Sequence, residues 1–529
     1  MAHIQLYDTT LRDGAQREGI SFSVEDKLQI ARKLDELGLH FIEGGWPGSN
    51  PKDAEFFSRA RGLKLAHAQL AAFGSTRRPN IKAESDPNLL AMLDAGTRVM
   101  TLVGKSWDLH VTELIETTLE ENLAMIADSV RYLKSRGHTV FFDAEHFFDG
   151  YKANPDYALR TVEVAAEAGA DCVVLCDTNG GALPGEVAAV FDRLKGRGLP
   201  LGIHAHNDTE LAVANTLVAI QGGAIQVQGT INGYGERCGN ANLCSIIPAL
   251  KLKLGIDCIS EERLARLTAV SHFVSEIANL PPDSQLPYVG ANAFTHKAGL
   301  HVSGVMKREE SYQHIDPELV GNSKRVVVSE LSGKSNIIYK ARERGLDMPL
   351  DSGRARQVLE DIKALESRGF QFDGAEASFE LLLRRAESDY RPPIELVDFM
   401  VVVEKRRRPP TTENAEEMLA EATVKVRVEG VIKHTAAEGN GPVNALDNAL
   451  RKALLEFYPS LQAVKLIDYK VRTLEEAQGT AAGVRVLIES SDGEQQWRTV
   501  GSSTNIIEAS WLALADSLEY WLLRRRGTT

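Results

Sequence analysis

A chain of 529 residues is too long for one ordinary domain and predicts two or three. Its 60 Lys and Arg against 73 Asp and Glu leave a net charge of −13, which argues against nucleic acid as the main partner, because phosphate neutralisation needs a basic surface. With 43% hydrophobic residues the chain can bury sizeable cores, yet it has no uninterrupted apolar run of about 18 residues, so no membrane span is expected.

Polar and charged residues arrive by Asp8 and Arg12, which does not fit a signal peptide. The cysteines are Cys172, Cys176, Cys238, Cys244 and Cys258. An odd number without paired short spacings points to a reducing, cytoplasmic compartment and away from a structural zinc site.

Short apolar runs then alternate with longer amphipathic segments. Strands are predicted at 4–7, 40–44, 65–72, 98–103, 139–143, 172–176, 201–205 and 224–229. Helical patterns lie between them, at 24–37, 114–135 and 157–167 among others, closed by Gly38, Gly137 and Gly169. This alternation implies a parallel sheet with right-handed crossovers. Eight repeats predict an α/β fold, a (β/α)₈ TIM barrel over residues 1–260, with a doubly wound sheet as the alternative. In a barrel the polar residues that end strands gather on one face: Asp8 to Asp13, Glu43, Lys105, Asp143 with Glu145, Asp177 with Thr178, His204 with His206, and Asn232.

Residues 261–390 read as a mostly helical linker that completes the site. A helix over 261–280 precedes Pro281, Pro282 and Pro287, and His296-Lys297-Ala298-Gly299-Leu300-His301 forms a second cluster of possible chemistry. Further helices are predicted at 354–368 and 375–388. Breakers at Arg391-Pro392-Pro393 and in 406–412 mark a boundary near 390.

Residues 391–529 read as an α+β regulatory domain built from an internal repeat. Strands at 399–404 and 423–428 lead to Gly439-Asn440-Gly441-Pro442-Val443-Asn444, which opens a helix ending near Phe457. Strands at 464–471, 483–488 and 497–500 lead to Gly501-Ser502-Ser503-Thr504-Asn505, which opens a helix ending near Leu523. The two halves are βββα-like. Helix N-terminal amides accept carboxylates, so Gly439, Gly441, Ser503 and Thr504 are candidate regulatory residues, ordinary capping turns being the alternative.

Side chains at i and i+2 of a strand share a side, so His204 and His206 converge. Strand 8 lies between strands 7 and 1 in a closed barrel, which brings the Asp13 loop near them. An Asp/His/His set leaves positions open on an ion, as a catalytic site needs, and accommodates Mg²⁺, Mn²⁺ or Zn²⁺. The alternative is unrelated polar residues at a strand end. Arg12 beside Asp13 suits a substrate with a carboxylate next to a carbonyl; a salt bridge to Asp8 or Glu43 is the plainer reading, and both roles can coexist. Residues 233–240 do not match GxGxxG. They form either a phosphate loop or a loop that brings Glu236 or Asn240 to the metal.

Together, residues 8–14, Glu43-Gly44-Gly45-Trp46-Pro47, residues 204–208 and residues 235–240 resemble the metal-dependent acyltransferase and lyase barrels that include the 2-isopropylmalate, homocitrate and citramalate synthases. The resemblance spans nearly the whole chain. It implies metal ligands at Asp13, His204, His206 and Asn240, a 2-oxo acid clamp at Arg12, and substrate contacts at Glu43 and Thr178. It implies a catalytic Glu145, a His301 acting with it and usually supplied by the neighbouring subunit of a homodimer, and Tyr312 near the active site.

The C-terminal repeat resembles the regulatory domain of the isopropylmalate and citramalate members, which the homocitrate synthases and lyases generally lack. Residues 43–53 with 141–150 look most like the citramalate-forming branch. That branch implies acetyl-CoA and pyruvate as substrates and isoleucine as effector; the alternative is 2-oxoisovalerate, in the leucine branch. The implied chemistry is a metal-assisted Claisen condensation followed by thioester hydrolysis. A metabolite sensor on an inactive barrel would lack the catalytic groups, all of which stand in this sequence.

Overall fold

The computed structural model describes residues 4–327, 334–343, 353–372, 374–387, 390–404, 419–474 and 482–526. The predicted breaker stretch 406–412 lies outside them. The chain divides into two compact units. One holds the described residues up to Phe294 together with His314–Lys324; the other holds Thr295–Gln313 and the described residues from Arg325 onward.

The first unit is a closed parallel barrel of β1 (Gln5–Asp8), β2 (Phe41–Gly45), β3 (Gln69–Ser75), β4 (Val99–Lys105), β5 (Thr139–Glu145), β6 (Cys172–Asp177), β7 (Leu201–Ala205) and β8 (Gln226–Gly229). β8 closes on β1 in a register from Gln5↔Gln226 to Asp8↔Gly229. The barrel expectation therefore holds and the doubly wound alternative falls.

Period-2 alternation sorts the strand side chains. Leu6, Ile42 and Val227 face the surrounding helices, while Tyr7, Phe41, Val99, Phe141, Cys172 and Val174 plug the interior. Phe41 and Phe141 meet edge to face at 5.0 Å. Full burial of such a ring contributes about 1.5–3 kcal/mol. The plug makes the barrel a packed core whose open end can carry a site.

Helix Val24–Leu37 shows how the local sequence sets its ends. Ser23 Oγ accepts from the Asp26 amide and the Asp26 carboxylate accepts from the Ser23 amide, a reciprocal cap. Gly38, at φ 91°, ends the helix in a left-handed turn.

Two expected elements shift and a third divides. The third strand begins at Gln69 rather than 65, because the buried Asp35 carboxylate accepts from the amides of Ala66, His67 and Ala68 and holds that stretch as a turn. The helix expected from 114 begins at Leu119, where Thr118 Oγ1 caps the Glu121 amide. The helix expected over 261–280 is two, Glu261–Leu264 and Leu267–Ile277.

In the second unit, β9 (Thr295–His296) pairs with β10 (Arg325–Val326). An antiparallel sheet follows: β11 (Ile394–Glu404), β12 (Leu419–Val428) and β13 (Val431–Gly439). β13 was not expected, because its Lys433, His434 and Glu438 interrupt the apolar pattern. Glu429 and Gly430, with φ of 49° and 82°, make the two-residue hairpin that creates it. Helix Pro442–Leu454 covers this sheet, Leu446 and Leu450 sharing a core with Val424 and Val426.

The second half repeats the plan with β14 (Lys465–Thr473), β15 (Val484–Ser491), β16 (Gln496–Ser503) and helix Ile506–Arg526. Its other face, through Leu487 and Val500, is covered by helices Lys334–Glu343, Gly353–Ser367 and Glu376–Arg385. Both expected halves are present. Among the described residues no helix is long and apolar enough to cross a membrane, and none of the five cysteines is in a disulfide.

Candidate active site

The turn after β1 builds one side of the site. Asp8 accepts from the amide and the hydroxyl of Thr10, at 2.9 and 2.7 Å. The Gly14 amide then bonds back to the Thr9 carbonyl. This tight turn carries Arg12 and Asp13 to the barrel mouth.

Asp13 Oδ2 lies 3.3 Å from His204 Nε2 and 3.7 Å from His206 Nε2, and the two Nε2 atoms are 3.3 Å apart. Ligand atoms bound about 2.1 Å from a common ion, at tetrahedral or octahedral angles, stand about 3.0–3.4 Å apart. Two sides of the triangle fall in that range and the third, 3.7 Å, is a few tenths of an ångström wider, close to the donor spacing of a divalent ion. It is the one such cluster of His, Cys, Asp and Glu among the described residues.

The supporting contacts agree. His204 Nδ1 faces Gln228 Oε1 at 2.9 Å, and Gln228 Nε2 donates to Asp143 Oδ1 at 3.0 Å. The glutamine oxygen requires a proton on Nδ1 and leaves the Nε2 lone pair for the centre of the triangle. Asn240 bridges to His206 through its backbone, and both of its side-chain amide atoms are buried without a partner. A buried amide in that state fits a further ligand position.

Charge sharpens the arrangement. Burial alone would raise the Asp13 carboxyl, but Arg12 and the two imidazoles hold it well below the usual carboxylate range. Burial and the neighbouring His204 push His206 down to about 3. His204 is raised against its burial by the hydrogen bond and charge of Asp13. Burial and then Glu43 push Asp143 up to about 7.

Arg12 Nε donates to Glu43 Oε1 at 2.6 Å, and its guanidinium lies 3.9 Å from the centroid of Phe73. Tyr7 donates to the other Glu43 oxygen at 2.6 Å. The salt bridge read as the plainer option for Arg12 is thus present with Glu43, while Asp8 is engaged by Thr10. Glu43, fully buried, reaches the cavity only through Arg12.

One cavity of about 450 Å³ is lined by Arg12, Asp13, Glu145, Thr178, His204 and His206, among others. Glu145 forms an ion pair with Lys105. Thr178 Oγ1 accepts from the His146 amide at 2.9 Å. Three expected strand-end residues turn away. Asp8 bonds within its own loop, Asp177 accepts from the Gly181 and Ala182 amides, and Asn232 bonds to Ser271 and Ser275. Each stands one position out of phase with a cavity-facing neighbour or beyond the strand end.

The glycine-rich loop buries Asn240 beside His206 and leaves Glu236 at the cavity lining. Gly239, at φ 89°, lets the chain fold so that the Asn240 amide meets the Gly233 carbonyl, while Glu236 stays exposed. His301 and Tyr312 lie in the second unit, their rings stacked at 4.5 Å.

Gly439 and Gly441 flank the start of helix Pro442–Leu454; a Cβ on Gly439 would lie 2.4 Å from the Ala445 amide nitrogen. Ser503, beside Thr504, accepts from the Asn505 amide and donates to Glu508. The first contact is close packing and the second is capping.

Sequence reasoning gave no role to Tyr7 or Gln228, and placed Lys105 at a strand end without its partner. For Gln228 the signal was present: Gln226-Val227-Gln228 alternates polar and apolar, with the polar side facing the barrel interior.

Comparison with known proteins agrees with this geometry. Residues 3–274 match the HMGL-like family, 288–369 the homocitrate synthase post-HMGL domain-like family and 373–522 the LeuA allosteric (dimerisation) domain. The chain is 56% identical to an (R)-citramalate synthase of Geobacter sulfurreducens, over 99% of this chain and 98% of that one. It is 54% identical to that of Aquifex aeolicus, over 98% of each chain. The (R)-citramalate synthase of Sulfolobus acidocaldarius is 49% identical, over 98% of this chain and 97% of its own. The chain belongs to the HMGL-like family and, within it, to the family of the (R)-citramalate synthases.

Proposed function

We propose that the chain condenses acetyl-CoA with pyruvate and water to give (R)-citramalate and CoA. The observation that carries the reading is the convergence of Asp13, His204 and His206 in one cavity with Arg12 and Glu145. The full-length relatives favour pyruvate over 2-oxoisovalerate.

Asp13, His204, His206 and Asn240 would hold a divalent ion, Mn²⁺ or Mg²⁺ in our reading with Zn²⁺ as the alternative, which supplies a Lewis acid for the ketone. Thr178 takes the carboxylate of pyruvate, and Arg12, aimed by Glu43, stabilises negative charge on the ketone oxygen. A base, assisted by Glu145 and by His301 of a neighbouring copy, with Tyr312 near the site, removes a methyl proton of acetyl-CoA. The resulting enolate carbon attacks the ketone carbon, and the new alkoxide takes up a proton. Water then cleaves the thioester, releasing CoA.

We read residues 1–260 as the catalytic barrel, 261–390 as a linker that completes the site and 391–529 as a regulatory domain. The LeuA-type match supports a homodimer and an amino-acid effector, which we take to be isoleucine. A cleft lined by Val443, Asp447, Arg451 and Leu466 combines apolar surface with an Asp447–Arg451 ion pair, whose two charges a zwitterion would have to share. The unpaired cysteines fit a cytoplasmic setting.

The test is release of free CoA from acetyl-CoA with pyruvate, 2-oxoisovalerate or 2-oxoglutarate, each with and without isoleucine. Preference for pyruvate, slowed by isoleucine, is expected. Preference for 2-oxoisovalerate moves the chain to the leucine branch.

A further inference from the structure

Trp46 stands between two cavities. With Arg12 it lines the reaction cavity of about 450 Å³ and also a second cavity of about 290 Å³, which reaches Ile20, Phe22 and Lys52.

Its indole is fixed on several sides. Nε1 donates to Asn88 Oδ1 at 2.6 Å, and the ring meets Phe73 edge-on at 5.4 Å. The Trp46 amide donates to Asp53 Oδ2 at 2.9 Å. These anchors are themselves held: Asn88 donates to the Ser75 carbonyl at 2.6 Å, and Asp53 pairs with the buried Lys27. Arg12 lies over the face of the same Phe73, so Trp46, Phe73 and Arg12 form one continuous wall. A wall anchored in this way does not yield to a larger ligand by rotating.

The wall also stands in the right direction. In the proposed pose the carboxylate of the 2-oxo acid is held by Thr178, directly after β6. In a ring of eight strands β6 faces β2. The alkyl substituent on the other side of the ketone therefore points toward the loop after β2, where Trp46 stands.

We propose that Trp46 is a specificity-determining residue: its indole stops the alkyl substituent at a methyl group and closes off the second cavity. This rests on the reading that the chain uses pyruvate.

The test compares kcat/KM for pyruvate, 2-oxobutyrate and 2-oxoisovalerate in the full chain, in Trp46→Ala and in Asn88→Ala, which frees the indole without removing it. One methylene in an apolar pocket discriminates by about 10–200-fold, so the 2-oxobutyrate to pyruvate ratio should rise about tenfold or more in Trp46→Ala. A smaller rise is expected in Asn88→Ala.

A folded Trp46→Ala whose ratio stays within about twofold of the unmodified chain overturns the proposal. If Trp46→Ala does not fold, Asn88→Ala decides: a raised ratio supports the wall and an unchanged one overturns it. A failure of the functional reading looks different, because the unmodified chain itself would then prefer 2-oxoisovalerate. That outcome overturns the wall as well.

Discussion

Lys105 and Glu145 stand opposite each other in the parallel register of β4 and β5, as the last residue of each strand, and their side chains form an ion pair at the cavity wall. The pair fixes where the Glu145 carboxylate points, while in the proposed pose pyruvate is held elsewhere, by Arg12 and Thr178. Lys105→Met should therefore lower kcat by about 10²-fold and change the KM for pyruvate little. Lys105→Arg should restore part of the rate. Steady-state CoA release measures both constants; a change in KM alone would instead make Lys105 a ground-state binding group.

Gly239 supports Asn240 through backbone geometry. A Cβ there would lie 2.0 Å from the Gly233 carbonyl oxygen, at a φ of 89° that side chains disfavour. Gly239→Ala should shift Asn240, keep the barrel folded by far-UV circular dichroism, and weaken Mn²⁺ affinity about 10-fold or more, as loss of a supporting contact typically does. Calorimetric titration checks it.

Asp8 gives the fold a pH dependence of known sign. Burial pushes its carboxyl up to about 7, against the two bonds from Thr10. The native state thus binds this proton more tightly than the unfolded chain. The associated loss of stability begins as pH rises above the ordinary carboxylate value near 4 and is complete above about 7, on the order of a few kcal/mol. Asp8→Asn should therefore gain thermal stability relative to the unmodified chain between pH 5 and pH 8. Melting curves at both values test this, and parallel behaviour of the two proteins contradicts it.

Much of the barrel was legible because each strand and helix carries its own period. The third strand was displaced because three amides are claimed by Asp35, a residue of helix Val24–Leu37 that no local pattern marks. β13 escaped because its hairpin turn, Glu429-Gly430, is short and its strand is half exposed and charged. In the site, His204 and His206 are two apart and declare themselves. Lys105 with Glu145, or Trp46 with Asn88, are contacts between different strands and helices, set by register and packing that one sequence does not display. Asp8, Asp177 and Asn232 were grouped with the site because a strand end looks alike in sequence whichever way its side chain faces.

The central claim is that one divalent ion, held by Asp13, His204, His206 and Asn240, enables the condensation. The direct measurement is Mn²⁺ binding to chelator-stripped protein, with citramalate formation from acetyl-CoA and pyruvate followed on the same samples, for the unmodified chain and for His204→Ala. The account predicts one ion per chain, activity that returns in proportion to the ion bound, and neither binding nor turnover in His204→Ala. Full activity in stripped protein, or in His204→Ala, would contradict it.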